Sequence, residues 1–149
     1  MALKVIDRGL HKYNDAFKKL NSKKVAVGLF AKVGDEVLMK GITNEFGART
    51  SKNVVIPERS FVRSTYNKNV KKVARRFTQI AESISNGSYD VIRKLKLIGL
   101  EQEAAIKQTI VDLKYPPNAP STIRAKGSSN PLIDTGEMRV KVSNELRNK

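Results

Sequence analysis

Apolar residues recur at steps of four and three along Ile6, Leu10, Tyr13, Phe17 and Leu20, the spacing of one helical face. Lys12, Lys18 and Lys19 fall off that face, so the segment from Val5 to Leu20 reads as an amphipathic helix lying on something larger. Asn21-Ser22 ends it. From Lys23 to Phe30 the period changes, with Val25, Val27 and Leu29 alternating with Lys24, Ala26 and Gly28, which predicts a strand. Gly34-Asp35 offers a turn, Glu36 to Met39 reads as a short second strand, and Gly41 to Phe46 as one or two helical turns. Gly47 to Arg59 is polar until Val54-Val55-Ile56 and stops at Pro57. Such a stretch predicts a long loop or an extended hairpin arm.

The strongest helical stripe follows, through Tyr66, Val70, Val73, Phe77, Ile80 and Ile84. Ser60 is placed to cap this helix, and Asn86-Gly87 to close it in a left-handed turn. Ser88 or Asp90 restarts a second helix through Ile92, Leu95, Ile98, Gln102, Ala105, Ile106, Ile110 and Leu113. The prolines of Tyr115-Pro116-Pro117-Asn118-Ala119-Pro120 forbid its continuation and predict a rigid extended connector. Ser121-Thr122 can cap one short turn through Ile123 to Ala125, and Gly127 to Pro131 returns to loop. Met138, Val140 and Val142 alternate with Arg139, Lys141 and Ser143, which predicts a last strand pairing with Val25 to Leu29 or with another chain. The pattern therefore predicts an α+β fold: a small, mostly antiparallel sheet packed by two long helices, with an N-terminal helix and a long extended loop.

A length of 149 residues fits a single domain, 1–149. A domain of this size buries enough surface to fold without disulfides or a structural metal. The chain has no cysteine, which excludes a thiol nucleophile, a disulfide framework and Cys-based metal sites. Its one histidine, His11, sits in a lysine-rich segment and is the sole candidate base for a Ser-His-Asp arrangement. No stretch approaches the apolar length of a membrane span or the run of a signal peptide, so the expectation is a soluble chain made in the cytoplasm, with no membrane partner.

Charge changes the picture most. Lys and Arg number 29 against 14 for Asp and Glu, a net +15. That field favours polyanions, whether nucleic acid, an anionic surface or an acidic protein neighbour. Lys68, Lys72, Arg75 and Arg76 fall three or four apart on the first long helix and form a candidate DNA-facing stripe; a solvated face opposite the core is the competing reading. No aromatic residues are interleaved there as stacking platforms.

Chemistry is thinly written. The carboxylate pairs Asp35-Glu36, Glu101 with Glu103, and Asp112 with Asp134 read as solvated or capping groups rather than acid and base. Gly34 and Gly41 are isolated, and Lys126-Gly127-Ser128-Ser129 lacks the spacing of a phosphate loop. Asp134-Thr135-Gly136 matches the aspartic-protease triplet but has no second copy. It reads as a capped turn in which Gly136 supplies the unusual backbone angle. No catalytic residue, metal or cofactor is expected.

Separated segments then carry a resemblance: Asn44-Glu45-Phe46-Gly47; Ile56-Pro57-Glu58-Arg59-Ser60-Phe61-Val62-Arg63; Pro116-Pro117-Asn118-Ala119-Pro120-Ser121-Thr122-Ile123 on to Lys126-Gly127; and Pro131-Leu132-Ile133-Asp134-Thr135-Gly136-Glu137-Met138. In this order and at about this spacing the chain resembles the small tail-component and virion-morphogenesis proteins of long-tailed bacteriophages, which act at the neck or in tail completion. The resemblance implies an α+β protomer assembling as a ring between capsid and tail, located in the virion. Its implied partners are further copies of the chain, neighbouring connector, head-closure and tail proteins, and double-stranded DNA in the lumen. Arg139-Val140-Lys141-Val142 departs from the family's usual small stretch ending in Ser-Ile, which leaves the pairing of the last strand open.

A closed ring needs head-to-tail interfaces. The arm at 47–59 is the candidate to reach a neighbour, adding a strand through Val54, Val55 and Ile56. Arg59 and Arg63 are placed to pin Glu45 or Asp134, and with Phe46 these residues form the expected subunit interface. The alternative function is a basic nucleic-acid-binding module working through Lys68 to Arg76.

Overall fold

The computed structural model describes residues 9–51 and 53–149. Helix α1 runs Leu10–Ser22; the expected start at Val5 lies outside the described residues. Ala16, which is not a member of the predicted stripe, is its one buried side chain; Phe17 and Leu20 are partly buried beside it, whereas Leu10 and Tyr13 are exposed, so only the C-terminal half of the predicted stripe packs. Strand β1 follows at once, Lys23–Gly28. A single 3-10 turn at Ala31–Val33 leads into helix α2, Asp35–Phe46, which takes in the stretch expected as a second strand at Glu36 to Met39. The reason is visible in what α2 buries: Val37, Gly41 and Glu45, four apart on one face. Two of these three are a glycine and a glutamate, so apolar periodicity alone did not mark the helix. Asp35 and Glu36 in its first turn suit the positive end of the helix dipole.

The arm at 47–59 is a short hairpin. Strand β2, Ala48–Arg49, pairs antiparallel with β3, Val55–Ile56, matching Ala48 to Ile56 and Arg49 to Val55. Helix α3 then runs Val62–Ser85 and helix α4 Val91–Asp112. Between them Gly87 N–H donates to Ile84 O at 3.0 Å and Ser88 N–H to Ser83 O at 2.8 Å, closing α3 at the predicted place. Only Thr65, Ile80 and Ile84 of α3 are buried, whereas Tyr66 stays 60% exposed and Val70 is also exposed. The predicted inner stripe of α3 is therefore covered at its C-terminal half and open at its N-terminal half.

Helix α5, Pro120–Lys126, follows the proline connector, and helix α6 occupies Glu137–Lys141. The strand expected over Met138 to Val142 is thus corrected. Met138 and Val142 are buried and four apart, while Val140 between them is exposed, which is helical rather than strand spacing. The last strand, β4, begins one residue later at Ser143–Asn148. Of the two partners left open for a C-terminal strand, β1 is the one found: β4 pairs antiparallel with β1 in a register from Lys23 with Asn148 to Gly28 with Ser143.

The fold is α+β, as the pattern predicts, with two separate two-stranded antiparallel sheets among the described residues. Two apolar clusters fill it, and α4 contributes to both. Ile106 and Ile110 meet Val37, Phe61, Leu132, Met138 and Val142 at one end. Val91, Leu95 and Ile98 meet Ala16, Ile80 and Ile84 at the other.

Candidate assembly site at the base of the hairpin

A carboxylate stands where α3 begins. Helices leave their first amides without intrahelical partners, and the residue at the N-cap of α3, Phe61, has no polar side chain to satisfy them. Glu45, from the last turn of α2, does so instead. Its oxygens accept the backbone N–H groups of Phe61 at 2.8 Å, Val62 at 2.9 Å and Arg63 at 2.9 Å, and the Ser60 hydroxyl at 2.9 Å. Ser60 was expected to cap this helix. It instead donates to Glu45, while its oxygen accepts only a longer contact from Ser64 N–H at 3.3 Å.

Glu45 is only 6% exposed. Burial alone raises its pKa, but the amides of Val62, Arg63 and Phe61 and the Ser60 hydroxyl outweigh that, holding it below the usual carboxylate range. Arg63 completes the arrangement. Its guanidinium donates to the Glu45 carboxylate at 3.1 Å, to the Glu45 carbonyl at 2.7 Å and to Glu58 at 2.9 Å, and its central carbon lies over the Phe46 ring, 4.7 Å from the ring centre. The expected pairing of Arg63 with Glu45 is present, and Phe46 is its stacking surface.

Arg59 works differently from expectation. It reaches neither Glu45 nor Asp134; it donates to the carbonyls of Pro116 at 2.8 Å and Pro117 at 2.9 Å, and more weakly to Asn44 Oδ1 at 3.4 Å. A peptide bond ahead of proline has a carbonyl but the proline itself supplies no N–H, so the carbonyls of a proline-rich connector that face the protein need outside donors. The buried Arg59 fork supplies two of them. Its own backbone N–H donates to Asn44 O at 2.7 Å, tying the exit of the hairpin to α2.

The glycine of the Glu45-Phe46-Gly47 turn has a structural reason too. Gly47 sits at φ +71°, and a Cβ there would lie 3.0 Å from the backbone of both Glu58 and Ile56. The two ends of the hairpin meet at this residue. Sequence reasoning missed two further members, Asn118 and Asn130. Asn130 donates to Val111 O at 2.9 Å and accepts from the amides of Leu132 and Ile133, and Asn118 donates to Asn130 O. Asparagines beside prolines are the available signal, because such side chains satisfy backbone groups that proline geometry leaves exposed.

These segments enclose a cleft of about 630 Å³. Val37, Ile56, Leu132 and Met138 give it apolar walls; Lys40, Lys126, Asp134 and Glu137 also line it. Burial pushes the Lys126 ammonium down, against an opposing pull from Asp134. Asp134 is therefore a cleft residue and not a partner of Arg59. Val54 and Val55, on the hairpin side of the same cleft, are 57% and 60% exposed.

The other candidates lie apart from this site. Arg76 and Lys72 turn to Glu101 on α4, at 2.7 Å and 3.5 Å, so half of the basic stripe ties the two long helices together. Lys68 and Arg75 are exposed. Glu103 turns to Lys107 and Asn144 rather than to Glu101, and Glu36 to Lys40. In the Asp134-Thr135-Gly136 turn, the Thr135 hydroxyl accepts Glu137 N–H at 3.3 Å and Gly136 takes φ +82°, the capped turn expected, now at the head of α6. Among the described residues no three His, Asp or Glu side chains gather closely enough to hold a metal ion, and no helix is long and apolar enough to cross a membrane. No family model, curated protein or solved structure matches the chain.

Proposed function

We propose that the chain is a structural subunit of the head–tail junction of a long-tailed phage, forming a ring around the DNA channel with the 47–59 hairpin as its reach to a neighbour. One observation carries this reading. The segments of the resemblance, far apart in sequence, meet around the cleft at the base of the hairpin, and three of their charged members are spent on holding it: Glu45 on the amides of α3, Arg63 on Glu45 and Glu58, Arg59 on the proline connector. A side chain saturated with backbone partners is poorly placed to act on a substrate. It is well placed to fix the angle at which an exposed Val54-Val55 edge leaves the body. Head-to-tail contacts of such an edge with a different surface of the next copy are the kind that close a ring.

Replacing Arg49 to Val55 by a short glycine turn is expected to leave the helical circular dichroism and melting transition of the protein in place and to abolish assembly, measured by light scattering at low and high salt. In infected cells lacking the chain, DNA-filled heads separated from tails are the expected particles. Complete virions in those cells, or an intact ring from the arm-shortened protein, would overturn the reading.

A further inference from the structure

The open half of α3 borders a second concavity, formed by none of the hairpin residues. It measures about 560 Å³. One wall is β1, through Val25 and Val27; the opposite wall is α3, through Val62, Tyr66, Val73 and Phe77. Ile98, Gln102 and Ile106 of α4 line it between them. The β1–β4 sheet packs on this same helix, and β1 is paired with β4 along one edge only. Among the described residues no strand pairs with its other edge. The concavity is thus where a third strand of the sheet would run, with α4 beneath it and α3 alongside. A two-stranded sheet is marginal by itself, and an open edge is a template for a further strand.

Charge identifies what fits. Lys23, Lys24 and Lys149 also line the slot, and no aspartate or glutamate does. Apolar walls beside a basic rim suit a strand with apolar residues on one face and acidic residues on the other. They suit a phosphate backbone poorly, since valines and a phenylalanine offer phosphates nothing. The chain's own exposed strand is also a poor match, because Arg49 to Ile56 carries Arg49 and Lys52 and no acidic residue. Bringing it here would set cations against cations in a protein of net +15.

We infer that the slot between β1 and α3 is a docking site for an extended acidic segment of a partner protein, which adds a strand to the free edge of β1 with alternate apolar residues facing α4. The inference does not depend on the ring reading, since the slot and the hairpin share no residue.

The test uses the full chain and three labelled synthetic nonapeptides: valine alternating with glutamate, valine alternating with lysine, and residues 49–57 of the chain itself. Fluorescence anisotropy gives affinity, and amide hydrogen exchange reports on β1. The glutamate peptide is expected to bind about tenfold tighter than the lysine peptide, the equivalent of two screened ion pairs, and to slow exchange at β1 amides. Lys24→Glu combined with Lys149→Glu alters two exposed side chains and is expected to invert the preference. Tyr66→Glu, also at an exposed position, is expected to weaken the glutamate peptide without shifting the melting transition. Equal binding of the two charged peptides, binding without protection of β1, displacement of the glutamate peptide by a short DNA duplex, or no binding of it at millimolar concentration would each overturn the assignment. Preference for the 49–57 peptide would do so too, and would give the slot to a second copy of the chain.

Discussion

The two ends of α4 are held by different physics. At its start, Val91, Leu95 and Ile98 pack with Ile80 and Ile84 of α3 and with Ala16, an apolar cluster whose α3 and α4 members lie close in sequence across one helix–turn–helix. At its finish, Ile106 and Ile110 join a second apolar cluster, but the segments around that cluster are fixed by polar groups from distant parts of the chain: the buried Glu45 on α3, the buried Arg59 on the connector and the partly buried Asn130 on the exit from α4. Apolar packing tolerates some rearrangement of shape, whereas a buried carboxylate or guanidinium is costly unless every partner is in place. The first end is suited to give stability. The second is suited to fix geometry, and it is the end that carries the hairpin.

The largest expected effect is at the apolar end. Leu95 has no exposed surface, and Leu95→Ala is expected to lower unfolding free energy by about 4 kcal/mol through lost burial and a residual cavity. The loss should be the same at pH 4 and pH 7, since no titrating group is involved, and urea denaturation at both values checks it. Should the loss depend strongly on pH, the two ends would not be energetically separate.

Glu45→Gln is the matching break at the polar end, expected to cost about 3 kcal/mol, because the amide presents donors to amides that are themselves donors. Here pH sharpens the contrast. The folded-state pKa of Glu45 lies below its ordinary value, so its contribution is fully present above the unfolded pKa and is lost as pH falls through the folded one. Wild-type stability should therefore fall on acidification below about pH 4.3, and in Glu45→Gln that fall should be shallower. Glu103 and Glu145 are shifted in the same direction and leave a residual slope in both proteins. Parallel pH curves for the two would remove Glu45 as the cap that matters.

The contrast also explains what the sequence made legible. Strand β4 falls one step beyond the alternating residues, but the helix pair, the break at Asn86-Gly87 and strand β1 follow from periodicity and turn chemistry, which are local signals. Helix α2 did not, because its buried face is built from Val37, Gly41 and Glu45, and the glutamate is there for the amides of α3 sixteen to eighteen residues away. Helix α6 is ambiguous in sequence for a related reason: Met138, Val140 and Val142 satisfy a two-residue period and Met138 with Val142 a four-residue one, and only the packing decides. At the hairpin base, the residues that matter are visible as a constellation of motifs, and so is the Arg63–Glu45 pair, while the backbone partners of Glu45 and Arg59 are not. Charge complementarity predicts a carboxylate partner for Arg59, yet it holds two proline carbonyls, for which side-chain complementarity gives no clue. The open half of α3 was invisible for the opposite reason, since a perfect stripe through Tyr66 and Val70 predicts burial whether or not the chain supplies a cover.

The smallest expected effect lies between the two ends, where Lys72 and Arg76 of α3 meet Glu101 of α4. All three are partly solvated, so Glu101→Gln is expected to change stability by less than about 1 kcal/mol, and by less still at high salt. Its value is in what it releases. With the carboxylate gone, Lys72 and Arg76 rejoin Lys68 and Arg75 as a continuous basic face. If that face tracked a phosphate backbone, duplex DNA would bind the variant more tightly and the slope of log affinity against log salt would steepen by about two. For a face whose work is to join two helices, DNA affinity at 150 mM salt stays as it was, and this is the expected result. A steeper slope would move the basic charge from the frame of the protein to its function and revive the nucleic-acid reading over the ring.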